Sequence, residues 1–232
     1  MRETIVVVTG GGRGIGRSIC RRFAAGGAQV IAASRSVNEL NETKSLIENA
    51  GGRCHVAPTD LSKPPRIQAL IDGVVDRYGC VDVLVNCAGV GLLRKIEELD
   101  PKSFEAILSV NVIAVYYTCR AVWPIMKAGN GGVIVNISSV ASVDPFPGFA
   151  AYGASKAWVN TWTKALADEG KEVGIRVYAV APGAVETQML RSAFPDYPAD
   201  ETLPPERIAE IVCTMAQPDC EYGNGETVFV KT

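Results

Sequence analysis

This sequence predicts an α/β fold built on a parallel, doubly wound sheet, and three observations carry the prediction. Short runs of β-branched and aliphatic residues recur between segments of helical length. The first run, Ile5-Val6-Val7-Val8, is apolar without alternation, as a strand covered on both faces must be. It leads directly into Thr9-Gly10-Gly11-Gly12-Arg13-Gly14-Ile15-Gly16, a glycine-rich junction that opens a helix. Strands separated by helices pair in parallel, because each helix carries the chain back across the sheet.

Taken in order, the first element after the glycine junction is a helix running to about Gly26. Glycines there let the backbone turn tightly and approach a ligand, and the free amides and dipole at the helix start favour phosphate. The spacing is not the common G-x-G-x-x-G, so a plain tight connection is the alternative. The second strand, Val30-Ile31-Ala32-Ala33, ends at Ser34-Arg35-Ser36, about twenty residues after the turn, where an acid would hold the adenosine ribose 2′-hydroxyl of NAD. None is present. Arg35 occupies that region and Arg13 lies in the turn, so two guanidiniums could meet a 2′-phosphate; solvated surface arginines are the bland alternative.

The alternation continues with a helix near 37–50, a strand near 53–57, a helix near 64–78 and a strand at Val81-Asp82-Val83-Leu84-Val85. A long helix opens at Asp100-Pro101, a cap residue followed by proline in the first turn. Then come a strand at Val133-Ile134-Val135-Asn136-Ile137, a helix carrying Tyr152, and a strand at 175–180. In such sheets ligands sit at the C-terminal strand ends, where the glycine turn, Asn86-Cys87-Ala88-Gly89, Ser138-Ser139 and Pro182-Gly183 all fall. From 184 to 205 the pattern breaks into a loop with Phe194-Pro195-Asp196-Tyr197-Pro198 and Pro204-Pro205, read as a mobile substrate lid. A helix at about 205–216 and a strand at Thr227-Val228-Phe229-Val230 complete a single domain over 1–232, without repeat or linker.

Composition narrows the function. With 23 basic and 25 acidic residues, a net charge of -2 gives no attraction to nucleic acid or an anionic membrane. The apolar runs read as too short to span a bilayer, and Met1-Arg2-Glu3-Thr4 enters a strand without a signal-peptide pattern, so a cytoplasmic protein is expected. Seven cysteines without a Cys-x-x-Cys suggest buried free thiols, with neither metal site nor disulfide framework. The single histidine, His55, leaves no His-based triad.

The chemistry concentrates at Tyr152-Gly153-Ala154-Ser155-Lys156, with Ser139 upstream. Residues four apart on a helix share a face, so a phenol and an ammonium become neighbours. A lysine charge about 5 Å away, at an effective dielectric near 20, contributes roughly 3 kcal/mol, enough to bring a tyrosine from about 10 toward about 7 or 8. Such a phenol exchanges protons at neutral pH. An ordinary surface pair is the alternative.

Together these motifs resemble the short-chain dehydrogenase/reductase family, and look most like its compact members such as the 3-oxoacyl-carrier-protein reductases. The resemblance spans nearly the whole chain through Thr9-Gly10-x-x-x-Gly14-x-Gly16, Asp60-Leu61, Asn86-x-Ala88-Gly89, Asn111, Ser139, Tyr152-x-x-x-Lys156 and Pro182-Gly183 through Thr187. It implies a Rossmann-type sheet of about seven mostly parallel strands in the order 3-2-1-4-5-6-7. Tyr152 is then the general acid/base, and Lys156 lowers its pKa and holds the nicotinamide ribose. Ser139 rather than Ser138 bonds the substrate oxygen, and Asn111 serves a water-mediated proton relay to Lys156, unless it is simply a buried asparagine holding backbone groups.

The cofactor implied is NADP(H). It is expected to contact Gly10, Gly12, Arg13, Gly14, Ile15 and Gly16, then Ser34, Arg35, Asp60 and Leu61, with Asp60 at the adenine. Asn86, Ala88, Gly89, Tyr152, Lys156, Pro182, Gly183, Val185 and Thr187 complete that set, Thr187 bonding the carboxamide or pyrophosphate. The expected function is an NADP(H)-dependent oxidoreductase moving a hydride between nicotinamide and a small-molecule carbonyl or secondary alcohol, a 3-oxoacyl thioester being one candidate. Phe146, Phe149, Leu92, Leu93, Met189 and Leu190 lie on segments that border the pocket in relatives. An NAD-preferring dehydrogenase and a non-catalytic nucleotide sensor are the alternatives. Apolar positions on the helices near 101–128 and 152–170, including Tyr116, Tyr117, Trp123, Trp158 and Trp162, match those that relatives use in a symmetric dimer. A homodimer is expected. The chain stops at Val230-Lys231-Thr232, short of the Asp-Gly-Gly tail that relatives often carry, which leaves a homotetramer open.

Overall fold

Ile5–Thr9 (β1), Gln29–Ser34 (β2), Arg53–Pro58 (β3), Val83–Asn86 (β4), Gly132–Ile137 (β5), Ile175–Pro182 (β6) and Thr227–Val230 (β7) form one sheet in a computed structural model that describes residues 3–232. The order is β3-β2-β1-β4-β5-β6-β7, with every neighbouring pair parallel. The N-terminal reading at Met1 and Arg2 lies outside the described residues. The helices are Gly14–Ala25 (α1), Val37–Asn49 (α2), Pro64–Tyr78 (α3), Pro101–Leu108 (α4), Ala114–Ala128 (α5), Ala150–Gly170 (α6), Gln188–Ala193 (α7) and Pro205–Met215 (α8).

Unbroken aliphatic strands are what two-sided cover requires. Val6, Val7 and Val8 are all fully buried, alternate residues belonging to opposite cores. One core sets Val6 and Val8 against Ile19, Phe23, Ile208 and Val212; the other sets Val7 and Leu84 against Ile71, Val115, Val122 and Met126. Burial of such side chains stabilises by about 1.5–3 kcal/mol each. From β1 the chain runs outward through β2 and β3, then returns to pair β4 on the other side of β1. That reversal opens a crevice at the C-terminal ends of β1 and β4. Thr9 Oγ1 clips the two strands there, accepting from the amides of Cys87 at 3.0 Å and Ala88 at 3.2 Å.

Three local expectations change. The fourth strand begins at Val83 rather than Val81, because Asp82 turns its carboxylate to the Ile5 amide at 2.8 Å, at the start of the β1–β4 pairing. The stretch 184–205 is not only loop: Thr187 caps the six-residue helix α7, accepting from the Leu190 amide at 3.3 Å. The helix opening at Pro101 continues through a wide π turn at Ser109–Ile113 into α5, giving a 28-residue rod with a window of mean hydropathy 1.4. By length and composition that rod could cross a membrane. Here its apolar face, with Val115, Cys119, Val122 and Met126, packs on the sheet.

Candidate active site

Tyr152 and Lys156 lie on the first turns of α6, which passes the end of β5. Both side chains point into the fold. Lys156 is buried, and its ammonium donates to the Ile137 carbonyl at 2.7 Å; Ser138 Oγ donates to the Lys156 carbonyl at 3.1 Å, tying helix to strand. Ser138 is therefore structural, and the next residue, Ser139, turns toward Tyr152. The Ser139 hydroxyl draws the phenol's pKa down, but burial dominates and the phenol titrates above its ordinary value. Lysine responds in the opposite sense, burial bringing Lys156 down to about 8.

This corrects the expected acidification of Tyr152 by Lys156. Helical spacing does bring the two together, with the ammonium 5.8 Å from the phenol ring centroid, yet it is anchored to Ile137 and burial sets the direction of the phenol's shift. Cys87, between the two groups electrostatically, is itself pushed up to about 12 by burial and remains a neutral thiol.

Asn111 sits in the π turn, fully buried. Its Oδ1 accepts from the Val90 amide at 2.8 Å, and its Nδ2 donates to the Val90 carbonyl at 2.9 Å and to Ser155 Oγ at 3.0 Å. The side chain thus holds the segment after β4 against α6. A Cβ added to Gly89 would lie 3.6 Å from both Asn111 Oδ1 and Lys156 Nζ, so glycine keeps open the space they face.

At the other end of the crevice the glycine junction is packed tightly. A Cβ on Gly16 would come within 2.1 Å of the Gly10 carbonyl, and Gly14 has a φ of +51°, so neither position accepts a side chain without strain. Ile15 begins the helix partly buried, and Thr187 closes over Gly14, its methyl 3.2 Å from a Cβ there. Val185 is buried and bridges to Leu203, while the Gly183 amide donates to Val230 after Pro182. Leu61 is buried with Ile67 and Ala114, and Asp60 accepts from the Ser62 hydroxyl at 2.7 Å and amide at 3.0 Å, contacts that lower its pKa. Asn86 faces inward, accepting from Thr118 Oγ1 at 2.7 Å and donating to Asn136 at 2.9 Å, so only the backbone running on to Ala88 and Gly89 borders the crevice.

The two arginines part company. Arg35 is exposed and makes no hydrogen bond or ion pair among the described residues. Arg13 is engaged: its Nη1 lies 3.2 Å from Glu39 Oε1 and donates to Gln188 Oε1 at 2.8 Å. Of the two guanidiniums that could meet a 2′-phosphate, the one on Arg13 already has partners in Glu39 on α2 and Gln188 on α7.

Over Tyr152 stands an aromatic wall. Phe149 packs edge-on to Tyr152 at 5.0 Å and stacks with Phe146 at 4.6 Å; Phe194 meets Phe146 at 5.7 Å, and Tyr197 backs Phe194 at 6.4 Å. Met189 reaches the opposite side, its sulfur 3.6 Å from a Cβ placed on Gly91, the same distance as the Tyr152 ring. The sequence reading included Phe146, Phe149 and Met189 but treated Phe194 and Tyr197 as lid alone. It missed Glu39 and Gln188 altogether; the only trace of Glu39 was the Ser36-x-x-Glu39 pattern of a helix start.

The family model of short chain dehydrogenases matches residues 4–198. A 3beta-hydroxysteroid dehydrogenase of Eggerthella lenta is 37% identical over 99% of this chain and 93% of its own. Among solved structures, a 3-ketoacyl-(acyl-carrier-protein) reductase from Brucella melitensis, complexed with NADH, superposes with a TM-score of 0.90 at 32% identity, covering 98% of this chain and 96% of that one. A metagenomic short-chain oxidoreductase in complex with NADP gives 0.86 at 34% identity over 99% and 97%. The chain belongs to the short-chain dehydrogenase/reductase family, and is an oxidoreductase of the nicotinamide-dependent kind.

Proposed function

We propose that the protein interconverts a ketone and a secondary alcohol with NADP(H), and that its substrate has a rigid apolar body of the hydroxysteroid type. The convergence of Tyr152, Ser139 and Lys156 beneath the Phe146–Phe149–Phe194 wall carries this reading. The glycine junction, the free Arg35, and the openings kept by Gly14 and Gly89 fit a dinucleotide along the crevice. When bound, that cofactor supplies or accepts the hydride. The protein's own groups do the rest. The Ser139 hydroxyl, near enough to the phenol to lower its pKa, can orient a carbonyl oxygen beside it. Tyr152, protonated at neutral pH because burial raises its pKa, can donate to that oxygen during reduction. Lys156 holds the first turns of α6 to β5 through Ile137, and the aromatic wall keeps water from the reacting carbon.

Flat rings stack against aromatic faces better than a flexible chain does, and Phe146 is 43% exposed beside the opening. A related hydroxysteroid dehydrogenase supports the same class. The test is a panel of ketones followed by NADPH absorbance, with 3-ketosteroids in one arm and 3-oxoacyl thioesters in the other. Higher kcat/KM for thioesters would move the reading to acyl chains, and turnover of neither would remove it. The protein is also proposed to pair through the α5–α6 face, where Tyr116, Trp158 and Trp162 form a partly buried aromatic ladder. Sedimentation at micromolar concentration should give a dimer.

A further inference from the structure

The carboxylate that the sequence lacks at the end of β2 arrives from a different element. Ser36-Val37-Asn38-Glu39 spells a capping box, in which the serine hydroxyl takes the glutamate N–H and the glutamate reaches back to the serine N–H. Only the first half is made. Ser36 Oγ accepts from the Glu39 amide at 3.3 Å, whereas the Glu39 carboxylate pairs, among the described residues, with Arg13 at 3.2 Å. It has turned from its own helix start to the glycine junction. A Cβ built on Gly12 would lie 3.0 Å from Ser34 Oγ and 3.4 Å from Glu39 Oε2, so hydroxyl and carboxylate flank one space. The Ser34 hydroxyl is buried there without a hydrogen-bond partner among the described residues.

An unpaired hydroxyl and a carboxylate at the end of the second strand are the chemistry that recognises a ribose 2′-hydroxyl, and a carboxylate there repels a 2′-phosphate. Arg13 would have to leave Glu39, or share it, to meet that phosphate. We infer that Glu39 is a specificity-determining residue of the dinucleotide site: it occupies Arg13 and offers its carboxylate to the 2′ position, leaving Arg35, without a hydrogen bond or ion pair among the described residues, to favour NADPH. The inference rests on the cofactor placement proposed above. It goes beyond that placement by naming the residue that sets how deep the preference is.

The test is equilibrium binding of NADPH and NADH, followed by nicotinamide fluorescence, to the full chain as wild type, Glu39→Gln, Arg13→Ala and the double variant. Glutamine keeps the backbone contact with Ser36, so the helix start survives. Removing the charge should tighten NADPH on the order of 10-fold and weaken NADH by about 2–5-fold. Arg13→Ala should change NADPH affinity by less than about 3-fold in the wild type but by about 10-fold in the Glu39→Gln background, where the guanidinium is released. Equal effects of Arg13→Ala in the two backgrounds would overturn the inference, as would a Glu39→Gln shift equal for both dinucleotides. In either case the cofactor reading would stand. Failure of the wild type to bind either dinucleotide would remove both.

Discussion

The two ends of the crevice are held by different kinds of force. Around Tyr152 the polar side chains are buried and committed: Lys156 to Ile137, Ser138 to the Lys156 carbonyl, Asn111 to both backbone groups of Val90. Around Gly12 the charged groups are solvated, with the Arg13 and Glu39 side chains 58% and 32% exposed and Arg35 exposed without an ion pair among the described residues. A buried polar group left unmatched costs about 1–3 kcal/mol, while an exposed ion pair contributes about 0.2–1 kcal/mol. The Tyr152 end is therefore held by the core, and the Gly12 end is lined by side chains that can change without disturbing it.

The sharpest way to break this contrast is at the phenol. Tyr152→Phe should lower kcat by 10²–10⁴-fold with dinucleotide affinity near the wild-type value, the range for a positioned proton donor. More than about a tenth of wild-type turnover would mean that another group supplies the proton. Next in size is Asn111→Ala, which strips partners from Val90 and Ser155 and should destabilise by about 2–4 kcal/mol in urea unfolding. A loss below about 1 kcal/mol would make the committed end no more committed than the exposed one.

At the solvated end, Arg35→Asp should lower the NADPH-to-NADH ratio of kcat/KM by about 10–100-fold, the worth of one charge-assisted contact, with no change in melting temperature beyond a degree or two. Smallest is the titration of the cofactor-free protein. Because burial raises the phenol, the ultraviolet difference between wild type and Tyr152→Phe should show no phenolate below the ordinary tyrosine value of 10.0. Phenolate near pH 7 would restore the acidification expected from helical spacing alone.

Local sequence announced what depends on local sequence. The Val6–Val8 run, the Asp100-Pro101 helix start and the four-residue step from Tyr152 to Lys156 each state a conformation or a neighbour within a few positions, and each is present in the structure. What the sequence did not disclose depends on distant partners. Arg13 and Gln188 are 175 positions apart, and nothing near either one signals their meeting. Spacing placed Lys156 beside Tyr152, but the sign of the phenol's shift follows from burial, which many segments create together. Glu39 was hidden differently: a pattern with an ordinary structural meaning was half used for it, and the free half went to the site.

The wide turn at Ser109–Ile113 has a consequence of phase. A π turn lodges one extra residue in a helix, and each residue advances the screw by about 100°. Before the turn and after it, the rod from Pro101 to Ala128 therefore presents differently indexed faces: Asn111 can look toward Val90 and Ser155 while Val115, Cys119, Val122 and Met126 still seat on the sheet. Deleting a single residue between 109 and 113 would restore an even screw and force a choice between these two seatings. The turn works as a key cut at two angles, letting one helix serve the core and the site at once.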